Sequence, residues 1–146
     1  MSAAQVEIRL GAEIISRPYV LDAAAAKAYG EGIESPQRRG SRRSIHDDKD
    51  AAASAGFVAP IAAGEQTIAV MAQFLADNFG MRFVRGGRIE VALTKPVLFG
   101  DTLTSRARVE RIVGLDGELA ELRIRVENQR GEDVLVGSAM VRTREA

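Results

Sequence analysis

The chain has 146 residues, 46% hydrophobic and 27% charged, with 20 basic and 20 acidic side chains and a formal net charge of +0. That size and balance describe one globular domain able to bury a core, and give no electrostatic argument for nucleic acid or a membrane surface as partner. The lack of cysteine excludes disulfides, thiolate metal sites and a cysteine nucleophile, and a single histidine excludes a histidine-rich metal site within one chain.

The opening stretch "MSAAQVEIRLGAEI" lacks the basic-then-apolar order of a signal peptide, and no apolar run approaches the roughly 20 residues that span a bilayer, so the expected location is the cytoplasm, away from membranes. "VEIRL" and "EIISRPYVL" read as short extended segments. "LDAAAAKAYG" reads as a helix, with Asp22 as N-cap, an alanine run of high helix propensity and Gly30 as its stop. Residues 30–44, "GEGIESPQRRGSRRS", are glycine- and arginine-rich with Ile33 as their one apolar residue, and read as a long loop.

"DDKDAAASAGF" predicts a short helix, capped by the Asp48 side chain and ended by Gly56, with Asp47 facing solvent. From Gly64 to Phe79, Ile68, Met71, Ala72, Leu75 and Phe79 form one helical stripe. Val70 and Phe74 widen it, which predicts a helix buried on most sides, and Gly80 supplies the stop. Beyond it the period becomes 2 in "RIEVAL", "DTLTSRARVERIV" and "ELAELRIRVEN", where Ala120, Leu122, Ile124 and Val126 share one face. "DVLVGSAMVRT" is apolar on both faces, as a central strand is, and "GLDG" and "NQRGE" supply hairpin turns. A long apolar helix followed by an antiparallel meander predicts an α+β fold in which the sheet wraps around the helix, the arrangement called a hotdog. With no linker or internal repeat, the expectation is a single domain over residues 1–146, with 30–44 as an enlarged loop.

From Tyr29 to Asp101 the order of short motifs resembles the MaoC-like dehydratases and (R)-specific enoyl-CoA hydratases. The residues that carry the resemblance are "SIHDD" (44–48), "AAASAGF" (51–57), "APIAAG" (59–64) and "LTKPVLFGDTL" (93–103). It implies reversible syn addition of water across the 2,3 double bond of an acyl-CoA or acyl-carrier-protein thioester, in a homodimer or higher homo-oligomer, with no metal and no organic cofactor. It implies His46 as catalytic base or acid, and the Gly64 N–H at the helix start as the group that polarises the thioester carbonyl. The division of labour suits the residue types. Imidazole titrates near neutrality and can take a proton from water, and an amide at a helix N-terminus favours developing negative charge.

The family's aspartate stands five residues before the histidine; here that position is Ser41, with Arg43 and Ser44 at the family's Asn and Pro positions. The nearest glycine–acid step is Gly30–Glu31, which makes Glu31 the candidate carboxylate partner of His46 and Glu34 its reserve. Arg38, Arg39, Arg42 and Arg43 read either as a solvated loop or as a binding site for the phosphates of the thioester carrier. Glu65, Gln66 and Thr67, in the first turn after Gly64, are candidate substrate-binding residues. Glu65 also keeps open a hotdog acyl-thioesterase in which a carboxylate at the helix start activates water; the displaced aspartate keeps open a non-catalytic acyl-binding or partner subunit. Taken alone, His46 reads as an ordinary solvated loop histidine, and Asp48 as a cap rather than a catalytic group.

Overall fold

A computed structural model describes residues 6–25, 27–28 and 44–145. Its elements in chain order are β1 (Glu13–Ile15), β2 (Tyr19–Val20), α1 (Lys49–Ser54), α2 (Gly64–Phe79), α3 (Met81–Val84), β3 (Arg88–Leu93), β4 (Thr102–Val113), β5 (Leu119–Glu127) and β6 (Asp133–Arg142). The six strands make an antiparallel sheet in the order β1-β4-β5-β6-β3, with β2 also beside β4. The core lies between this sheet and α2. Met71, Leu75 and Phe79 of the helix are fully buried, as are Leu122, Val126 and Val141 of the strands. This is the α+β hotdog architecture anticipated from the sequence.

The strand pattern follows from side-chain alternation. Ala120, Leu122, Ile124 and Val126 point inward and are buried, while Arg123 stays in solvent. β6 lies between β5 and β3, which explains its apolar residues on both faces. It also carries Gly137 opposite β3, where a Cβ would lie 2.0 Å from the Glu90 carbonyl oxygen, so only glycine admits the two strands at their spacing.

The N-terminal region is less regular than its sequence suggests. "EIISRPYVL" divides into β1 and β2, separated around Pro18, which has no N–H to give to a ladder. The segment from residue 6 to 9 forms no strand. The Val6 N–H donates instead to the Asn78 carbonyl at 3.2 Å, and Arg82 donates from Nη2 to the Val6 carbonyl at 2.7 Å. The Arg82 guanidinium also sits 5.7 Å from the Phe79 ring centre. Asp22 caps a helical turn as expected, accepting from the Ala25 N–H at 2.8 Å.

α2 is less enclosed than its wide apolar stripe implies. Glu65, Ala69, Gln73 and Asp77, spaced one turn apart, form an exposed row along the whole helix. One flank is therefore open, and it borders the largest cleft of the described residues.

Candidate functional site

His46 lies in a turn just before α1. Local hydrogen bonds shape that turn: Asp47 Oδ1 accepts from the Ser44 N–H at 2.9 Å, and Ser44 Oγ accepts from the His46 N–H at 3.1 Å. Asp48 caps α1, with Oδ1 accepting from the Ala51 N–H at 2.8 Å. That agrees with its expected role at the helix start.

The turn is fastened to the segment that leads into α2. The Ile61 N–H donates to the Ile45 carbonyl at 3.1 Å, and His46 Nδ1 lies 2.8 Å from the Ile61 carbonyl oxygen. A carbonyl can only accept, so Nδ1 carries the proton. In the neutral ring, Nε2 then holds the free lone pair, and the exposed ring presents it away from the backbone. The other side of the segment is held as well: the Ala62 N–H donates to the Val97 carbonyl at 2.8 Å, the Phe99 N–H donates to the Pro60 carbonyl at 3.1 Å, and Ile61 bridges Leu98. His46 is thus anchored three residues before Gly64, the first residue of α2.

The start of α2 has Ala63 as its N-cap, with no side-chain cap. Helix geometry leaves the Gly64 amide without an intrahelical acceptor, so it remains available to an oxygen at the positive end of the helix dipole. The glycine has a packing reason too: a Cβ there would meet Leu93 Cδ1 at 2.6 Å. Of the three neighbouring candidates, Glu65 is exposed, whereas Gln66 and Thr67 are buried. His46 and Gly64 are therefore brought to one end of α2. Glu31, Arg38, Arg39, Arg42 and Arg43 lie outside the described residues. Among the described residues, no carboxylate forms an ion pair with His46, and no group of three or more His, Asp or Glu side chains is arranged to hold a metal ion.

The Lys95–Pro96 and Gly100–Asp101 steps resemble chemistry in sequence but perform a structural task. Buried Asp101 accepts from the Leu98 N–H at 2.9 Å and from Gln129 Nε2 at 2.7 Å, with Arg130 Nη1 at 3.3 Å. Lys95 reaches Glu132 at 2.7 Å. Both ends of that motif thus tie the β5–β6 turn to the segment beside Ile61. Hydrogen bonds from Asn128, then Lys95 and Arg130, hold the Glu132 carboxyl down to about 2.

Sequence reasoning did not find the cleft on the open flank of α2. It encloses about 600 Å³ between the helix and the β1–β2 segment, and includes Gln66 and Ser105 in its lining. A signal for Ser105 was present: it is the one polar member of the inward-facing series Leu103, Ser105, Ala107, Val109, all buried.

A family model described as "MaoC like domain" matches residues 39–129, well over half of the chain. No curated protein matches the chain by sequence. Among solved structures, the chain is similar to the unliganded (R)-hydratase PhaJ1 from Pseudomonas aeruginosa, with a TM-score of 0.76 and 21% identity over 96% of this chain and 84% of that one. It is also similar to the MaoC-like dehydratase from Rhodospirillum rubrum, with a TM-score of 0.69 and 25% identity over 95% and 96% of the two chains. A third similar structure is the HadBC (3R-hydroxyacyl-ACP dehydratase) complex from Mycobacterium tuberculosis, with a TM-score of 0.67 and 18% identity over 94% and 99%. The motif order, the wrapped helix and the matched segment agree: the chain belongs to the MaoC-like domain family.

Proposed function

We propose that this protein is an enoyl-thioester hydratase, running in reverse as a 3-hydroxyacyl-thioester dehydratase. The observation that carries the reading is the 2.8 Å contact between His46 Nδ1 and the Ile61 carbonyl, which leaves Nε2 as a base beside the start of α2. Nε2 takes a proton from water as the water oxygen bonds to C3 of the 2-enoyl thioester. The electron pair of the 2,3 double bond moves through C2 onto the thioester oxygen, where the Gly64 N–H and the helix dipole stabilise it. Collapse of that enolate with protonation at C2 gives the 3-hydroxyacyl thioester. Glu31 is the proposed carboxylate partner in these proton transfers.

Family membership and the named hydratase and dehydratase neighbours support this reaction class. The thioester is carried by CoA or an acyl carrier protein, with Arg38, Arg39, Arg42 and Arg43 meeting its phosphates and Glu65, Gln66 and Thr67 near its acyl end. We read residues 1–146 as one such domain, acting in the cytoplasm as a homodimer or higher homo-oligomer; the HadBC structure is itself a complex. Among the described residues no helix is long and apolar enough to cross a membrane.

The test is loss of enone absorbance when the protein is mixed with crotonyl-CoA. Hydration that disappears in His46→Ala, with the fold intact, supports the assignment. Thiol release without hydration, abolished by Glu65→Gln, would establish a thioesterase instead.

A further inference from the structure

The cleft beside α2 has a size usual for a small-molecule site, about 600 Å³. Its walls are mainly apolar. Val70 and Phe74 come from the helix, Leu103 from β4, and Ile15 and Tyr19 stand at its margin, 51% and 43% exposed. Two lining side chains break the pattern. Gln66 is 6% exposed and Ser105 is 1% exposed, and they come from facing elements. Neither the Gln66 carboxamide nor the Ser105 hydroxyl has a hydrogen-bonding partner among the described residues. Nor is either sealed within protein: Asp133 Oδ1 is the one fully shielded side-chain polar atom left without a hydrogen bond among the described residues. Their polar atoms therefore open onto the cleft they line.

Buried polar groups are nearly always paired, and an unpaired pair facing one cavity calls for a ligand that supplies the partner. Carboxamide and hydroxyl can each donate and accept, so they suit a hydroxyl or a carbonyl oxygen. The other polar residues of the cleft are already engaged: Gln73 donates to Asp77 at 2.6 Å on the exposed row, and Ser16 Oγ accepts from the Ser105 N–H at 2.9 Å.

We infer that this cleft receives the acyl chain of the thioester, and that Gln66 and Ser105 select a chain bearing a hydroxyl or oxo group along its length. The identity of the ligand as a thioester rests on the hydratase reading above. Gly64 and Gln66 are about 3 Å apart along the helix axis, and the Gly64 amide points out of the helix end, so a carbonyl held there starts its chain at the mouth of the cleft. From Gln66 to Asp77 the helix rises about 16 Å, room for roughly a dozen extended bonds at ~1.2 Å each.

Isothermal titration of the full chain with decanoyl-CoA, and with a matched set of decanoyl-CoA esters carrying one mid-chain hydroxyl, tests this directly. The best hydroxylated ester is expected to bind about tenfold tighter than decanoyl-CoA. The double variant Gln66→Leu, Ser105→Ala should bring the two within about twofold, with decanoyl-CoA bound no more weakly than before. Val70→Trp, which fills the cleft, should weaken both. If the double variant does not fold, Ser105→Ala alone, which deletes a single oxygen, still has to reduce the preference. Equal affinities in the unmodified protein, or a preference that survives these substitutions, overturn the inference. Crotonyl-CoA is too short to follow the helix, so its hydration reads the His46–Gly64 site separately. Hydration lost with the binding preference intact sinks the reaction and keeps the cleft; hydration intact with no preference does the reverse.

Discussion

His46 Nδ1 and the Ile61 carbonyl oxygen, 2.8 Å apart, join the turn before α1 to the segment that begins α2. The contact fixes the ring's tautomer and its distance from the helix start together. Without it an exposed loop histidine would sample many orientations. With it, Nε2 has a defined direction, as a general base requires.

His46→Ala is therefore expected to lower crotonyl-CoA hydration by about 10²–10⁴-fold. Because the ring is exposed, the stability change should stay within about 1 kcal/mol. Initial rates and urea denaturation of the same preparations check both halves. An unchanged rate removes His46 from the mechanism.

Gly64→Ala sets a new Cβ against Leu93 Cδ1, which an added carbon would meet at 2.6 Å. Leu93 is 47% exposed and its tip can rotate away, so the stability cost should be about 1 kcal/mol or less. The rate should fall further than stability, because the amide that polarises the thioester moves with the helix start. Adding Leu93→Ala should recover part of the lost rate. Failure to recover any would mean the methyl group blocks substrate rather than shifting the helix.

Asp48→Ala removes the α1 cap and should cost about 1 kcal/mol of stability through the exposed Ala51 amide. Asp48→Asn should restore most of it, since asparagine caps comparably. A large loss of turnover with unchanged stability, not rescued by Asn, would make Asp48 a participant in the chemistry.

Glu132 makes stability pH-dependent. Its carboxyl is held at about 2 against 4.5 for the free group, so the folded state binds its proton less readily than the unfolded chain. The stabilisation is complete above about 4.5 and is lost as pH falls towards 2. Melting temperatures followed from neutral to acidic pH should drop through this window, and Glu132→Gln should flatten that part of the curve. A variant with the same acid profile as the parent would show that other carboxylates govern it.

Much of the fold can be read in the sequence because its signals are local. Side-chain alternation marks the inward face of β5, glycines bracket α2 at Gly64 and Gly80, and Asp22 and Asp48 lie one turn before the amides they cap. His46 and Gly64 were legible as candidates through the order of motifs around them. The short α3 after Gly80 was not legible: it depends on a left-handed glycine, φ 55°, and on Arg82 reaching back to Val6.

The amino-acid sequence determined the α+β architecture, the long central helix and the residue types at its start, because hydrophobic period and capping act over a few residues. Tertiary structure alone decided that the partner of the His46 ring is the Ile61 carbonyl, fifteen positions away, and that Leu93 limits Gly64. It also decided that Asp101 supports a turn, and that Gln66 and Ser105 face one cleft from opposite walls. Each of these depends on where separate segments meet once the sheet has wrapped the helix, and no local rule of propensity or period carries that information.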